Sequence, residues 1–383
     1  MTAPHPIVLA AGGTGGHIFP AQSLAGVLAK RGYRIALVTD KRANVLDGAL
    51  ATADIYRVRA AGIAGKNPLR RLIGVAELGL GYFQAKRILE QVGPLAVVGF
   101  GSYASVPALA AAVSLGHRTV IHEQNAVLGR ANRFLAPKVT RIATAFQSVD
   151  NLRDEDRSKT SWTGNPVRPE IVDIAAQPYP ALEEGGLIKL LVFGGSLGAI
   201  VFTKVVPRAL AALPETLRRR IVLVQQCHEK DIGAVREIYS KAGISAELAP
   251  FFEDMPDRLA AAHLVLSRAG ASTIAELTAA GRPAILVPFP HATDDHQTKN
   301  AESLCDAGGG WMIPQSSFDE ASLGSRLTSL LSDTRRLRTT GMCAGRMGMR
   351  AAAEKLADVV LDAAGADGDQ QRGGPAPSRE AAE

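Results

Sequence analysis

Cysteine is scarce and scattered in this chain: 383 residues hold three, Cys227, Cys305 and Cys343. No two stand at zinc-finger or redox spacing and three cannot all pair as disulfides, so a reducing cytosol is the expected compartment. Long unbroken hydrophobic runs are missing too. The nearest approach, "LAVVGFGSYASVPALAAAVSL" at 95–115, carries no charge and is long enough to span a bilayer. Gly99, Gly101, Ser102 and Pro107 interrupt it, however. It reads as a buried strand, a glycine turn and a helix, and no membrane-spanning helix is expected. The N-terminus carries no positive charge ahead of an apolar run that breaks at glycines, so no signal peptide is expected. Charge of one sign is not concentrated either. The net charge of +6 is spread along the chain; it permits an anionic partner such as a nucleotide or an acidic membrane surface without requiring one, and no nucleic-acid partner is expected. Metal-ligand spacing is absent: "HEQNA" and "HEKDI" lack the second histidine of H-E-x-x-H. "DED" at 154–156 falls inside "LRDEDRSK", a charged run expected to be a solvated loop. Neither a metal nor a cofactor is expected.

What is present is an alternation of strands and helices on a soluble, globular composition, 46% apolar and 21% charged. "IVLAAG" at 7–12 runs into "FPAQSLAGVLAKRG", a helical pattern ending at Gly32; "RIALVTD" at 34–40, "LAVVGF" at 95–100 and "RTVIHEQN" at 118–125 are further strands. Buried strands punctuated by helices imply a parallel sheet covered on both faces. "WTGNPVRPEI" at 162–171 has the prolines and Gly-Asn signal of a junction, after which "IKLLVFGGSLGA" at 188–199 restarts the pattern. "RIVLVQQC", "HLVLSRAG" and "PAILVPFP" supply later strands, and "MRAAAEKLADVVLDAA" the last helix. The chain is too long for one core, and the fold class is α/β with two halves that each open on a strand and a glycine turn.

A strand, glycines and then a helix bring free backbone N–H groups and the positive end of a helix dipole to one point, which suits phosphate. Something phosphorylated, or a polar group needing the same donors, is therefore expected at 12–16. The G-x-G-x-x-G fingerprint is broken: Gly13 and Gly15 fill two positions, but the third falls on Ile18. Asp40, ending the second strand, stands where a ribose-binding acid would sit in a nicotinamide-dependent oxidoreductase, and keeps that alternative open.

Five strings occur in order: "GGTGGHIFPA" at 12–21, "IHEQNAVLGRANR" at 121–133, "TGNPVR" at 163–168, "FGGSLGA" at 193–199 and "SRAGASTIAELTAAGRPAILVPFP" at 267–290. Together they resemble the MurG family, bacterial enzymes that add N-acetylglucosamine to the lipid-linked muramyl-pentapeptide precursor of the cell wall. The resemblance covers about 7–361. It implies a GT-B fold, two Rossmann-like doubly wound domains facing across a cleft. The implied division is 1–164 for the acceptor and membrane side, 165–345 for UDP-sugar binding, 346–363 for a helix returning to the first domain, and 364–383 for a disordered tail.

The same resemblance implies roles for single residues. Ala271, Ser272 and Thr273 open a helix and would offer donors to uridine and its phosphates, and Glu276 would accept ribose hydroxyls; its other reading is an acid favoured by the helix dipole. Ser196 would donate at the second turn, where Leu197 replaces a glutamine frequent in the family. Arg168 would offset pyrophosphate charge as the leaving group departs. Thr14, Gly15 and Gly16 would meet the transferred sugar or the acceptor's pyrophosphate. Asn125 would bond a sugar hydroxyl, and Gln297 the donor sugar, with His296 its rival by one position. His17 is the candidate base for the acceptor's C4 hydroxyl; its alternative is a helix-capping or phosphate-donating role. His122 and Glu123 are reserve bases or loop-orienting residues.

A lipid-linked acceptor requires contact with an anionic membrane surface. "NPLRRLIGVAELGLGYFQAKR" at 67–87 carries Leu69, Leu72, Ile73, Ala76, Leu80 and Phe83 at helical spacing, flanked by Arg70, Arg71, Lys86 and Arg87. The stripe suits docking through Leu72, Ile73 and Phe83, or burial against the sheet. The expected place is the cytoplasmic face of the bacterial inner membrane, peripherally bound. Besides the oxidoreductase, a non-catalytic sugar-nucleotide-binding protein is the remaining alternative.

Overall fold

The computed structural model describes residues 5–12, 15–40, 48–60, 68–195 and 198–365. Thr14, Ser196, Leu197 and the tail from 366 lie outside the described residues, as do the side chains of 68–71. Seven parallel strands form the first sheet: β1 (Ile7–Ala11), β2 (Ile35–Thr39), β3 (Asp54–Arg57), β4 (Ala96–Gly99), β5 (Thr119–Glu123), β6 (Arg141–Thr144) and β7 (Thr160–Trp162), in spatial order β3-β2-β1-β4-β5-β6-β7. Six form the second: β8 (Ile188–Phe193), β9 (Ile221–Gln226), β10 (Ser245–Ala249), β11 (Leu264–Ser267), β12 (Ala284–Leu286) and β13 (Gly310–Met312), in order β10-β9-β8-β11-β12-β13. Each half thus repeats the doubly wound order in which the direction of winding reverses beside the first strand, between β1 and β4 and between β8 and β11.

The central strands were legible because both faces are covered. β1, β2, β4 and β5 are buried throughout, which demands unbroken apolar runs rather than alternation. Five strands lacked that signal. β3 is largely exposed and β7 half-exposed at the two edges of the first sheet, β10 is an edge strand carrying Glu247, β6 begins on Arg141, and β13 has three residues. The 95–115 run divides as expected into β4, a turn and the Ser102–Ser114 helix, and no helix among the described residues is long and apolar enough to cross a membrane.

The "DED" expectation is corrected. Residues Asp154–Arg157 form a short helix rather than a solvated loop, and the buried Asp156 takes ion pairs from Arg153 and Lys159. The final helix also differs in extent from the span 346–363. Helix Thr334–Met347 ends within the second half, and a separate helix, Ala352–Ala364, follows. Leu356, Ala357 and Val360 of that last helix are fully buried in one cluster with Ile7, Leu9, Leu24 and Val98 of the first half. A second cluster runs through both halves by way of Val167, Ile171 and Ile174 in the connecting segment.

Helix Pro68–Val92 packs against helix Ser102–Ser114, where Tyr82 donates to Ser114, with only part of its surface covered. Ala85 and Leu89 are buried, and Gly81 faces the chain so closely that a Cβ would stand 1.9 Å from the Arg59 carbonyl oxygen. Leu72, Ile73 and Phe83 face outward, 67%, 54% and 68% exposed. Burial against the sheet therefore does not account for the stripe.

Candidate functional site

In parallel sheets every strand delivers its loop at the carboxyl edge, and both reversals of winding place two such loops side by side. In the first half β1 leads to helix Gly15–Lys30 and β4 to helix Ser102–Ser114, entered through Gly101 (φ 74°). In the second half β8 leads through Gly194, Gly195 and Gly198 to helix Ile200–Ala211, and β11 through Gly270 to helix Ala271–Ala280. Gly194 has no room for a side chain: a Cβ would lie 2.3 Å from the Ala199 nitrogen. Gln226 braces this turn, accepting from the Gly194 N–H at 2.9 Å and donating to the Gly195 carbonyl at 3.2 Å. Helix Ala271–Ala280 has no side-chain cap, so the N–H groups of Ala271, Ser272 and Thr273 remain for another acceptor.

The two edges meet. A Cβ on Gly16 would stand 3.9 Å from Ser272 Oγ, which puts the first half's opening turn against the second half's donor helix. Arg168 and Glu276, given separate roles from sequence, are joined here by an ion pair of 3.0 Å. Burial pushes the Glu276 carboxyl above its ordinary value, and the Arg168 guanidinium opposes that shift. Arg168 also lies 5.1 Å from the Phe19 ring centroid, and its buried Nε has no partner among the described residues.

His17 sits in the first turn of its helix, half-buried, with Nδ1 2.8 Å from Gln124 Oε1. Asn125 lies two residues beyond the end of β5 rather than on it. Its Oδ1 accepts from Asn300 Nδ2 at 3.1 Å, and its Nδ2 donates to Glu123 at 3.3 Å. Glu123, buried, also accepts from the Gly129 N–H and from Asn132, both at 2.8 Å, and so orients the loop instead of reaching the crevice as a base. His122 is likewise no base. It is fully buried, its Nε2 donates to the Gly164 carbonyl at 3.0 Å, and burial, aided by nearby His17, lowers its pKa to about 4. Gln297 is tied by its carbonyl to the N–H groups of Phe289 at 2.9 Å and Ala269 at 3.2 Å, while His296 turns back to the Thr293 carbonyl.

Four residues at this site were not singled out from sequence: Gln124, Gly101, Gln226 and Asn300. Gly101 could have been found, since "GFGS" ends the strand beside β1. A cavity of about 540 Å³ lies along a different face of helix Ala271–Ala280, between Ile274, Ala275, Phe146, Trp162 and Asn165. Of the expected site residues only Ala271 reaches it.

Two facing Rossmann-type halves with amide donors at both reversals of winding are the GT-B architecture. The chain belongs to glycosyltransferase family 28: residues 7–144 match that family's N-terminal domain and 189–356 its C-terminal domain. Within that family its relatives are MurG enzymes. It is 52% identical over 362 residues to a protein of Paramagnetospirillum magneticum, covering 94% of this chain and 98% of that one, and 51% identical to one of Rhodospirillum centenum, covering 94% and 95%. Both are named UDP-N-acetylglucosamine–N-acetylmuramyl-(pentapeptide) pyrophosphoryl-undecaprenol N-acetylglucosamine transferase. Among solved structures it is similar to Acinetobacter baumannii MurG, with a TM-score of 0.75 and 28% identity over 94% of this chain and all of that one.

The buried His122 gives the stability of the fold a pH dependence with a definite sign. The unfolded chain takes up this proton near pH 6.5, while the folded chain refuses it until about pH 4, so stability is lost as the pH falls through that interval. Urea denaturation at pH 7 and at pH 4.5 is expected to show a loss of stability on the order of 2 kcal/mol larger for the natural chain than for His122→Gln. Equal losses would mean that His122 is not held neutral.

Proposed function

We propose that this chain is an inverting hexosyltransferase of peptidoglycan synthesis. It moves N-acetylglucosamine from UDP-N-acetylglucosamine to the C4 hydroxyl of the muramyl sugar in undecaprenyl-pyrophosphoryl-MurNAc-pentapeptide. The observation that carries the reading is the meeting of the His17 turn with the open helix start at Ser272, in a chain about half identical to enzymes named for this transfer. Membership of a glycosyltransferase family removes the nicotinamide alternative.

In this reading the acceptor's C4 hydroxyl gives its proton to His17 while its oxygen attacks the anomeric carbon from the face opposite UDP. The bond from that carbon to the β-phosphate oxygen breaks, UDP leaves with the electron pair, and a β-1,4 linkage results. Charge develops on the diphosphate, where the N–H groups of Ala271, Ser272 and Thr273 stabilise it without reorganising, and the Ser196 hydroxyl and the Arg168 guanidinium add a donor and a charge. Glu276 accepts the ribose hydroxyls. Arg168 holds its Oε1, so the nucleotide shares the carboxylate with that cation or displaces it. Asn125 and Gln297 have committed their carbonyl oxygens to protein donors, so each meets a sugar through its amide N–H groups. Gly15 and Gly16 face the transferred sugar or the acceptor's pyrophosphate. None of these steps draws on a metal or a cofactor.

The acceptor's polyprenyl chain stays in the bilayer, and the outward Leu72, Ile73 and Phe83 of helix Pro68–Val92 are its docking surface. Half-buried Lys86 and exposed Arg87 follow on the same helix and suit anionic headgroups. The enzyme works peripherally at the cytoplasmic face of the inner membrane.

Transfer of radiolabelled N-acetylglucosamine to the lipid-linked muramyl-pentapeptide tests the reaction. The natural chain is expected to form the disaccharide, and His17→Ala to lose roughly 100-fold or more in kcat with its UDP affinity, read by titration calorimetry, unchanged. No transfer by the natural chain would contradict the activity, and full kcat in His17→Ala the choice of base. The triple substitution Leu72→Ser, Ile73→Ser and Phe83→Ser is expected to weaken sedimentation with anionic phospholipid vesicles by roughly 1000-fold or more, since each apolar side chain contributes about 1.5–3 kcal/mol when buried. The melting temperature and UDP affinity should hold. Unaltered vesicle binding would remove this surface from the account.

A further inference from the structure

Gln124 fills the space between β5 and the first helix of the chain, 3% exposed, and makes two hydrogen bonds of opposite sense. Its Nε2 donates to the Phe100 carbonyl at 3.0 Å, and its Oε1 stands 2.8 Å from His17 Nδ1. A carbonyl oxygen can only accept. Turned over, the carboxamide would set its own oxygen against that of Phe100 in a buried place, leaving two acceptors without a proton between them. Phe100 therefore decides which end of Gln124 faces the imidazole. It is itself fixed, because its N–H donates to the Ala10 carbonyl at 2.9 Å and so ties the end of β4 to β1.

The consequence passes to the histidine. The atom that meets Nδ1 is an amide oxygen, which also only accepts, so Nδ1 carries the hydrogen. In a neutral imidazole one nitrogen donates and the other accepts, and the lone pair is then on Nε2. The ring is held at close quarters: a Cβ on Gly101, at φ 74°, would stand 3.8 Å from His17 Cε1. An orienting carboxylate would also favour the imidazolium, whereas a carboxamide fixes the ring without adding charge.

We propose that Gln124 is a positioning residue for the transfer step, holding His17 in the Nδ1–H tautomer so that Nε2 is the nitrogen that takes the acceptor's C4 proton. The proposal rests on the reading of His17 as the base. A base presented in the other tautomer would offer an N–H where a lone pair is needed, and turnover would fall with the nucleotide still bound.

The test reads the tautomer without turnover. Nitrogen-15 histidine NMR of the full, UDP-free chain, with the His17 signals identified by their loss in His17→Phe, is expected to show Nδ1 protonated and Nε2 bare. Gln124→Met keeps the length of the side chain and removes both hydrogen bonds. It is expected to shift the ring to a mixture of tautomers and to lower kcat by roughly 10- to 100-fold, with KM for UDP-N-acetylglucosamine within about twofold. A natural-chain ring protonated at Nε2 overturns the proposal, as does a Gln124→Met ring with its tautomer and kcat unchanged; should that variant fail to fold, the natural-chain spectrum decides alone. Failure of the base assignment is separable, since full kcat in His17→Ala would appear beside an intact tautomer signal.

Discussion

Asn300 is buried completely at the floor of the crevice, and its one carboxamide holds both halves of the molecule. Its Oδ1 accepts from the Ala126 N–H at 2.8 Å, and its Nδ2 donates to Asn125 Oδ1 at 3.1 Å and to the Ala269 carbonyl at 3.0 Å. Two of those partners belong to the loop after β5, and the third precedes the helix that opens at Ala271. Each such bond contributes about 1 kcal/mol net, but a buried amide left without partners costs about 1–3 kcal/mol, so the arrangement resists separation more than its sum suggests. The bridges from Arg130 and Arg133 to Asp294 span the same gap with both arginines more than a third exposed, where ion pairs contribute little. The clasp that sets the spacing of the crevice is thus the buried amide rather than the charges at its rim.

Given that spacing, the rest follows from parallel sheets. A sheet of this kind sends all its loops to one edge, and the reversal of winding beside β1 and beside β8 opens a place for a ligand in each half. Glycines let the backbone approach, uncapped helix starts leave N–H groups free, and the opposed halves turn two anion sites toward one another. The groups that must hold a geometry are all secured from behind. Gln226 braces the second turn, Glu123 the loop around Asn125, and Gln124 the imidazole of His17.

Much of this was legible in the residues. Apolar runs covered on both faces announced β1, β2, β4, β5 and β8, and the glycines after β1 and β8 announced anion sites, while the donors at 271–273 came only through the family resemblance. Periodicity stopped short where burial is a tertiary matter. It could not say whether Leu72, Ile73 and Phe83 face the sheet or the solvent, nor that Asp156 is buried among cations. Edge strands such as β3 and β7 lack a covered second face and so carry little pattern. The union of Arg168 with Glu276, 108 residues apart, and of His17 with Gln124, 107 apart, is not written in any local spacing. Asn300 sits in "HQTKNAESL", an ordinary polar helix by sequence, and only the meeting of two halves makes it a clasp.

In the proposed reaction, facing clusters of backbone amides grip a nucleotide sugar between the halves. A crystal structure of the chain with UDP-N-acetylglucosamine tests it most directly. The diphosphate is expected on the N–H groups of Gly195, Gly198 and residues 271–273, the ribose against Glu276, and the sugar directed toward the His17 turn. A diphosphate lodged elsewhere, or a nucleotide that leaves the helix start at Ala271 untouched, would contradict it.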